Sequence, residues 1–425
     1  MSIIMGLVGI VVLLLIAVIF SKNRKAINIR TIAGAFLLQA AVPAFVLLTD
    51  SGAVILKTIS DGVQAVISSA NAGINFLFGP LVSGKMFELF PDGGFVFAIR
   101  VLPVIIFFAA LMSVLYYLNI MQWVVKIFGG GLQKMLGTSR TESLSASANI
   151  FVGQTEAPLV VKPYIANMTS SELFAVMAGG LASVAGAVLA GYASMGISLN
   201  YLIAASFMAA PGGLLMAKIL VPETETPHDG IDQNLENQVK DEEAEAEPAN
   251  VIDAAAMGAS SGLGLAMNVG AMLLAFIALI ALLNMILGGI GGWFGHEEIT
   301  MQMLLGYAFA PIAYIIGIPW SEAVQAGSLL GQKLVLNEFV AYIDFMSMQD
   351  IFSEHSKAII IVALCGFANL SSIAILLGGL GLIAPKRRAE IARFGLLAVL
   401  AGTLSNFMSA TLVGIFMAIG GSAII

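Results

Sequence analysis

The chain has 425 residues, of which 59% are hydrophobic and only 11% charged. A soluble globular domain carries about 25% charged residues, so most of this surface must face lipid and a set of soluble domains is excluded. The net charge of −7 belongs to one segment, 221–250, with ten Asp/Glu and one Lys; the rest holds sixteen acids against eighteen bases. No basic stripe exists to neutralise phosphates, which argues against a nucleic-acid partner.

Residues 3–20 are apolar or glycine and are followed by Ser21-Lys22-Asn23-Arg24-Lys25. A signal peptide carries its charges first. The reversed order predicts a retained transmembrane helix, N-terminus outside and basic flank in the cytoplasm. A second span is expected at 31–48. Over 54–79, apolar residues at 56, 59, 63, 67, 70, 74 and 77, with Lys57 and Asp61 opposite, predict an amphipathic surface helix. The third span, 95–120, contains Arg100 near its outer end, where the side chain can snorkel. A cytoplasmic-side segment with Lys126, Lys134 and Arg140 follows. Spans four and five cover 173–195 and 199–220. The acidic linker 221–250 reads as disordered. Spans six, seven and eight cover 263–287, 357–383 and 394–419. Eight crossings leave both termini outside and put Lys22/Arg24/Lys25/Arg30, Lys126/Lys134/Arg140, Lys218 and Lys386/Arg387/Arg388/Arg393 inside, as the positive-inside bias requires.

Two regions are not simple spans. In 139–165, Gly153-Gln154-Thr155-Glu156 separates two apolar stretches of nine residues each. Nine residues at ~1.5 Å rise cover about half the hydrocarbon core, so this is read as a re-entrant hairpin entered from inside. Pro158 suits the first turn of the returning arm, with Thr155 as its N-cap. Residues 321–344 look like the same object entered from outside: Ser139 precedes Glu156, and Ser321 precedes Glu338, by 17 residues. The span after each is interrupted in a matching way, by Gly180-Leu181-Ala182-Ser183-Val184-Ala185-Gly186 and by Gly366-Phe367-Ala368-Asn369-Leu370-Ser371-Ser372. Hairpin, broken helix and following span, repeated with opposite topology, are the organisation of inverted-repeat secondary transporters. Unwound backbone at membrane depth is tolerated only where it is buried in protein or lines a watery cavity. The broken segments should therefore meet around a midplane binding site.

An intramembrane carboxylate costs ~2.5–3.5 kcal/mol on insertion scales, which makes Glu156 and Glu338 binding candidates. Asn369, Ser371 and Ser372 are polar but of a kind that also glues helices. No nucleophile–base–orienter set accompanies the glutamates, so an enzyme is not expected. Cys365 is the only cysteine and His228, His296 and His355 are scattered, so no His/Cys metal site is composed. Mixed amide and carboxylate groups at the tips disfavour an ion channel, whose filter is a ring of like ligands.

The hairpin tip, Asn149-Ile150-Phe151-Val152-Gly153-Gln154-Thr155-Glu156-Ala157-Pro158-Leu159, strongly resembles the concentrative nucleoside transporter family, in its bacterial sodium-coupled form. Asn337-Glu338-Phe339-Val340-Ala341 and 366–372 match two further signatures in order, and the resemblance covers essentially the whole chain. It implies an all-α polytopic protein of eight transmembrane helices and two re-entrant hairpins in inverted repeats. It implies a homotrimer in the bacterial cytoplasmic (inner) membrane, importing uridine or a related nucleoside by sodium symport with elevator-like movement. Each protomer would hold scaffold (1–120 and 251–295) and transport parts (121–220 and 296–425), joined by the linker 221–250. By the same resemblance Gln154, Thr155, Glu156 and Val188 face the nucleobase, Glu338, Asn369 and Ser372 face the ribose, Phe367 packs on the nucleoside, and Gly153 belongs to the same substrate site. Sodium is carried over to the Asn149 and Ser183 side chains with backbone carbonyls near Val152 and Val184. A proton-coupled nucleoside carrier, or an elevator transporter of another small polar solute such as a dicarboxylate, is the alternative. Two acids without a committed arginine argue against an anionic substrate.

Overall fold

The structure, a computed structural model, describes residues 2–90, 94–227 and 248–420. Most of the acidic linker expected at 221–250, with His228, therefore lies outside the described residues. Among those described there are helices and no strands. In chain order they are α1 (Ser2–Ile19), α2 (Ile29–Leu48), α3 (Asp50–Phe78), α4 (Lys85–Leu89), α5 (Phe97–Arg100), α6 (Leu102–Tyr117), α7 (Ile120–Leu136), α8 (Arg140–Ala148), α9 (Lys162–Ile165), α10 (Ser170–Ala182), α11 (Gly186–Ser194) and α12 (Leu199–Leu220). After the linker come α13 (Val251–Gly292), α14 (Met301–Ile315), α15 (Trp320–Val335), α16 (Glu338–Met348), α17 (Glu354–Leu364), α18 (Ser372–Ile383) and α19 (Arg388–Gly420).

The packing sorts them into a buried group and a peripheral one. α10, α11, α12 and α19 are covered on nearly all faces, whereas α3, α6 and α13 expose most of theirs. α13 runs for 42 residues, twice the ~20 needed to cross a bilayer. It lies along α6 through glycines: a methyl group on Gly262 would fall 2.9 Å from the Ile106 Cα. Close packing of this kind suits a lipid setting, where small residues let backbones approach.

The amphipathic helix is α3, whose buried stripe is Leu56, Ser60, Ile67, Ala70 and Ile74. Ile59 and Leu77, expected on that stripe, stay exposed. The third span is broken: α5 ends at Arg100, and Pro103 opens α6 as a first-turn residue. Arg100 donates to the Ser83 carbonyl at 3.2 Å and lies over the Phe87 ring, so it anchors the α4 segment. α14, over 301–315, had no counterpart among the expected spans. It folds back on α15 at a bend of 117°. Gly327 allows this, since a methyl group there would meet the Ala310 nitrogen at 2.6 Å. By length and composition, seven described helices can cross a membrane, or eight with this bent pair as one span; they include residues 50–89, expected as a surface helix, and leave out the expected first and seventh spans. α1 and α18 are shorter apolar helices.

α1 and α2 pack against α19 and α12. Gln39 of α2 donates to the Ser405 carbonyl and the Ser409 hydroxyl of α19, at 3.2 and 2.8 Å. Lys22, Lys386, Arg387 and Arg393 line one cavity with Val221, the residue after α12, and the end of α7 meets the start of α2 through Thr31 and Leu136. The basic clusters thus gather at one end of the molecule.

Candidate functional site

Both broken helices form where the sequence interrupts an apolar run. A capping box of Thr169 and Glu172 starts α10, which ends at Ala182; residues 183–185 are non-helical, and α11 resumes at Gly186. Ser353 caps α17, which ends at Leu364, and α18 resumes at Ser372 after the break 365–371. A backbone hydrogen bond, Phe367 N–H to the Ser183 carbonyl at 3.1 Å, joins the two breaks directly.

Each break also bonds to its hairpin. The Gly186 N–H donates to the Phe151 carbonyl at 3.0 Å, and the Leu370 N–H donates to the Leu334 carbonyl at 3.1 Å. The first hairpin starts with a capping box of Ser139 and Glu142, and its returning arm is a 3-10 turn, Ala157–Val161, followed by the short α9. Thr155 does not cap that arm. Glu156 occupies the cap position without a side-chain bond to it, because a 3-10 turn opening with Pro158 leaves few N–H groups to cap. The second hairpin is more regular: the Asn337 side chain accepts from the Val340 N–H at 3.0 Å and starts α16 at Glu338.

This difference separates the two glutamates. Glu338 is buried between α11 and the second break, with Oε1 accepting from the Tyr192 hydroxyl at 2.8 Å and Oε2 from the Asn369 amide at 3.2 Å. Asn369 Oδ1 accepts in turn from the Ser372 N–H at 2.9 Å and the Ser372 hydroxyl at 3.0 Å. Glu156 is exposed, and its Oε2 accepts from the Gly153 N–H at 3.0 Å. Thr155 is likewise exposed, beside Gly379 of α18, while Val188 is buried on α11. Phe367 bridges the halves: a methyl group on Gly153 would lie 3.8 Å from its ring and 3.1 Å from the Ala185 Cβ. Gln154 is buried against Gly180, where a methyl group would come within 2.9 Å of the Gln154 Cβ. The structure thus brings together the two hairpins and the two breaks.

Several buried side-chain atoms of the two hairpins lack a partner, Ser145 Oγ and Gln332 Oε1 among them, and two residues stand at the first tip itself. Gln154 Oε1 and both amide atoms of Asn149 are buried without a hydrogen-bond partner. An unpaired buried polar group costs about 1–3 kcal/mol and asks for a ligand. Asn149 lies against Gly179 in the last turn of α10, and Ser183, at the break, donates to the Gly180 carbonyl at 3.3 Å. Neutral oxygens beside an open helix end fit a hard monovalent cation. Val152 and Val184 are buried in the same two segments.

Three residues here were not singled out from the sequence. Tyr192 holds Glu338, and its ring packs on Phe339 and Tyr342 at 4.7 Å between centroids. Lys333 is fully enclosed and donates to Asn406 Oδ1 at 2.8 Å. Asn406 Nδ2 donates to the Ala182 and Cys365 carbonyls at 2.7 and 3.0 Å. The cost of an intramembrane charge that marked the glutamates applied equally to Lys333.

Comparison with known proteins assigns the family. A family model described as the C-terminus of Na+ dependent nucleoside transporters matches residues 201–414, the corresponding N-terminus model matches 8–81, and a nucleoside recognition model matches 98–199. The chain is 53% identical to the nucleoside permease NupC of Helicobacter pylori, over 97% of each chain. It is 54% identical to an uncharacterized transporter of Haemophilus influenzae over the full length of both. Human solute carrier family 28 member 3 is 36% identical over 96% of this chain and 59% of its own. The structure of CNTnw in an inward-facing substrate-bound state matches at a TM-score of 0.95, 58% identity and full coverage of both chains. These relatives are transporters and permeases, not enzymes. The chain belongs to the concentrative, Na+ dependent nucleoside transporter family.

Proposed function

We propose that this protein imports nucleosides such as uridine across the bacterial cytoplasmic membrane by sodium symport, as a homotrimer whose transport parts move elevator-like against a scaffold. The observation that carries the reading is the junction itself. Buried, unpaired Asn149 and Gln154 lie within one bonded set of breaks and hairpins that also holds Glu338, Asn369 and Ser372.

In this reading a ribose displaces part of the Glu338 network, its hydroxyls donating to the carboxylate and accepting from the Asn369 amide and Ser372 hydroxyl. The base lies toward Gly153, Gln154, Thr155, Glu156 and Val188, with Phe367 packed on the nucleoside between the halves. Sodium takes the Asn149 and Ser183 oxygens with the carbonyls of Val152 and Val184. The two hairpins are re-entrant from opposite faces, the eight crossings leave both termini outside, and the basic end faces the cytoplasm.

The division at residue 120 is drawn differently in this reading. α3, α6 and α13 form the scaffold, whereas α1 and α2 travel with α12 and α19, against which they lie. Elevator movement is supported by the solved states of CNTnw, which is 58% identical: an inward-facing substrate-bound form, an outward-facing variant and an intermediate state. The test is radiolabelled uridine uptake into proteoliposomes with and without a sodium gradient. Uptake that follows a proton gradient and ignores sodium replaces the ion in this reading. Absence of uridine uptake refutes it.

A further inference from the structure

Lys333 is a charge to which nucleoside and sodium binding give no role. It sits on α15, the first arm of the second hairpin, with no solvent exposure. Its ammonium donates to Asn406 Oδ1 at 2.8 Å and reaches the Ala363 carbonyl at 3.4 Å. Asn406 passes the link on to the carbonyls of Ala182, the last residue of α10, and Cys365, just past α17. One ammonium and one amide therefore tie the second hairpin to the C-terminal ends of the first halves of both broken helices. Such ends carry unpaired carbonyls and partial negative charge, and they favour a cation. Glu338 opens α16, the other arm of the same hairpin, five residues further along the chain.

The first repeat reaches the equivalent place differently. Asn149 closes the first arm of its hairpin and lies against Gly179 in the last turn of α10; Lys333, on the first arm of the second hairpin, reaches Ala363 in the last turn of α17. Asn149 precedes its hairpin glutamate by seven residues and Lys333 precedes its own by five. The Asn149 amide has no partner, whereas Lys333 brings a cation with it.

We propose that Lys333 is a tethered cation, filling in the second repeat the position that a free coupling ion takes in the first. This rests on the assignment of sodium to Asn149 and Ser183. It makes Lys333 a positioning residue: through Ala363 and Asn406 it holds the break that carries Asn369, and so the Glu338 network, without drawing on the ion gradient. The carrier then has one free ion site, and only the first hairpin answers to sodium.

Uridine affinity of the purified full-length trimer, measured over a sodium series balanced with choline, tests this, with thermal melting run beside it. Below saturation, the slope of log affinity against log sodium counts the linked ions. The wild type is expected to show a slope of about one. Lys333→Met removes the cation and should weaken uridine about tenfold or more at high sodium, with the slope unchanged. Lys333→Asn shortens the side chain and offers an oxygen, so sodium can enter; affinity should recover at high sodium and the slope rise toward about two. A merely structural lysine would not move that slope. A wild-type slope of two, a folded Lys333→Met with wild-type affinity, or a Lys333→Asn slope unchanged from the wild type overturns the proposal. If Lys333→Met does not fold, the Lys333→Asn slope decides. A wild type indifferent to sodium refutes the sodium assignment instead, and the affinity of Lys333→Met then judges the tethered cation.

Discussion

Replacing Glu338 by Gln is the sharpest test of the proposed sugar side of the site. The side chain is isosteric, but its two oxygens become one acceptor and one donor. In the structure Oε2 takes a hydrogen from the Asn369 amide at 3.2 Å and Oε1 takes one from the Tyr192 hydroxyl at 2.8 Å. An amide at 338 must turn its oxygen to Asn369, since two facing NH2 groups repel, and offer its own NH2 to the Tyr192 oxygen, which can accept. The fold therefore survives, while a ribose hydroxyl loses its charged acceptor. A hydrogen bond to a charged group contributes about 1.5–3 kcal/mol, or roughly 10- to 150-fold in affinity. Calorimetric titration of the purified protein with uridine and with 2′,3′-dideoxyuridine measures it. Uridine should lose that factor and the dideoxy analogue much less, so the gap between them narrows. Equal losses for both ligands, or no loss for either, would refute the placement of Glu338 against the ribose.

At Glu156, which is exposed and bonded to its own hairpin backbone, the Gln substitution should cost nucleoside affinity by a smaller factor; a loss exceeding that at Glu338 contradicts this order. Gly180→Ala puts a methyl group 2.9 Å from the Gln154 Cβ and should cut uptake several-fold while the variant elutes like the wild type; full uptake would show that the hairpin tip is free to shift. Asn149→Leu should abolish most of the difference in nucleoside affinity between sodium and choline at fixed pH, and an undiminished difference moves the ion elsewhere. Lys218 pairs with Glu142, and both side chains are buried; Lys218→Met should therefore cost roughly 3–5 kcal/mol in stability, read as a lowered melting temperature. Adding Glu142→Gln should recover part of that loss, and a single variant that melts like the wild type argues against the pair. Exchange of 228–247 for a neutral flexible sequence of equal length should leave uptake nearly unchanged; loss of uptake and assembly together would give that acidic segment a function.

The parts of the fold legible in the sequence are those where polarity interrupts hydrophobicity. Ser183 in one apolar run and Gly366 to Ser372 in another marked the helix breaks to within a few residues, because each interruption exposes backbone that only a packed junction can accept. The first hairpin was found by the same signal, but its returning arm was taken for a helix. Pro158 and Pro163, five residues apart, leave too few consecutive N–H donors for one. α14 escaped because fifteen residues holding Pro311 are too short to read as a span, and only its fold-back on α15 makes the pair long enough. The partnership of Lys333 with Asn406 spans 73 residues and has no local pattern at all. Tyr192 is a similar case: nothing nearby in the chain distinguishes a tyrosine that holds a carboxylate from one that fills a core.

The link between the two breaks is made by main-chain atoms, the Phe367 N–H and the Ser183 carbonyl. Apart from proline, which removes the donor, every residue type at position 367 carries that N–H, and every residue type at 183 carries that carbonyl. The residues proposed to read the nucleoside are side chains hung on this backbone. If Gln154, Thr155, Val188 and Phe367 read the base as proposed, drift or deliberate redesign there changes which base is accepted while the register of the two halves is inherited intact. A pocket built this way is evolvable: selection for a new cargo need not rediscover how to keep the cargo and its ion in step.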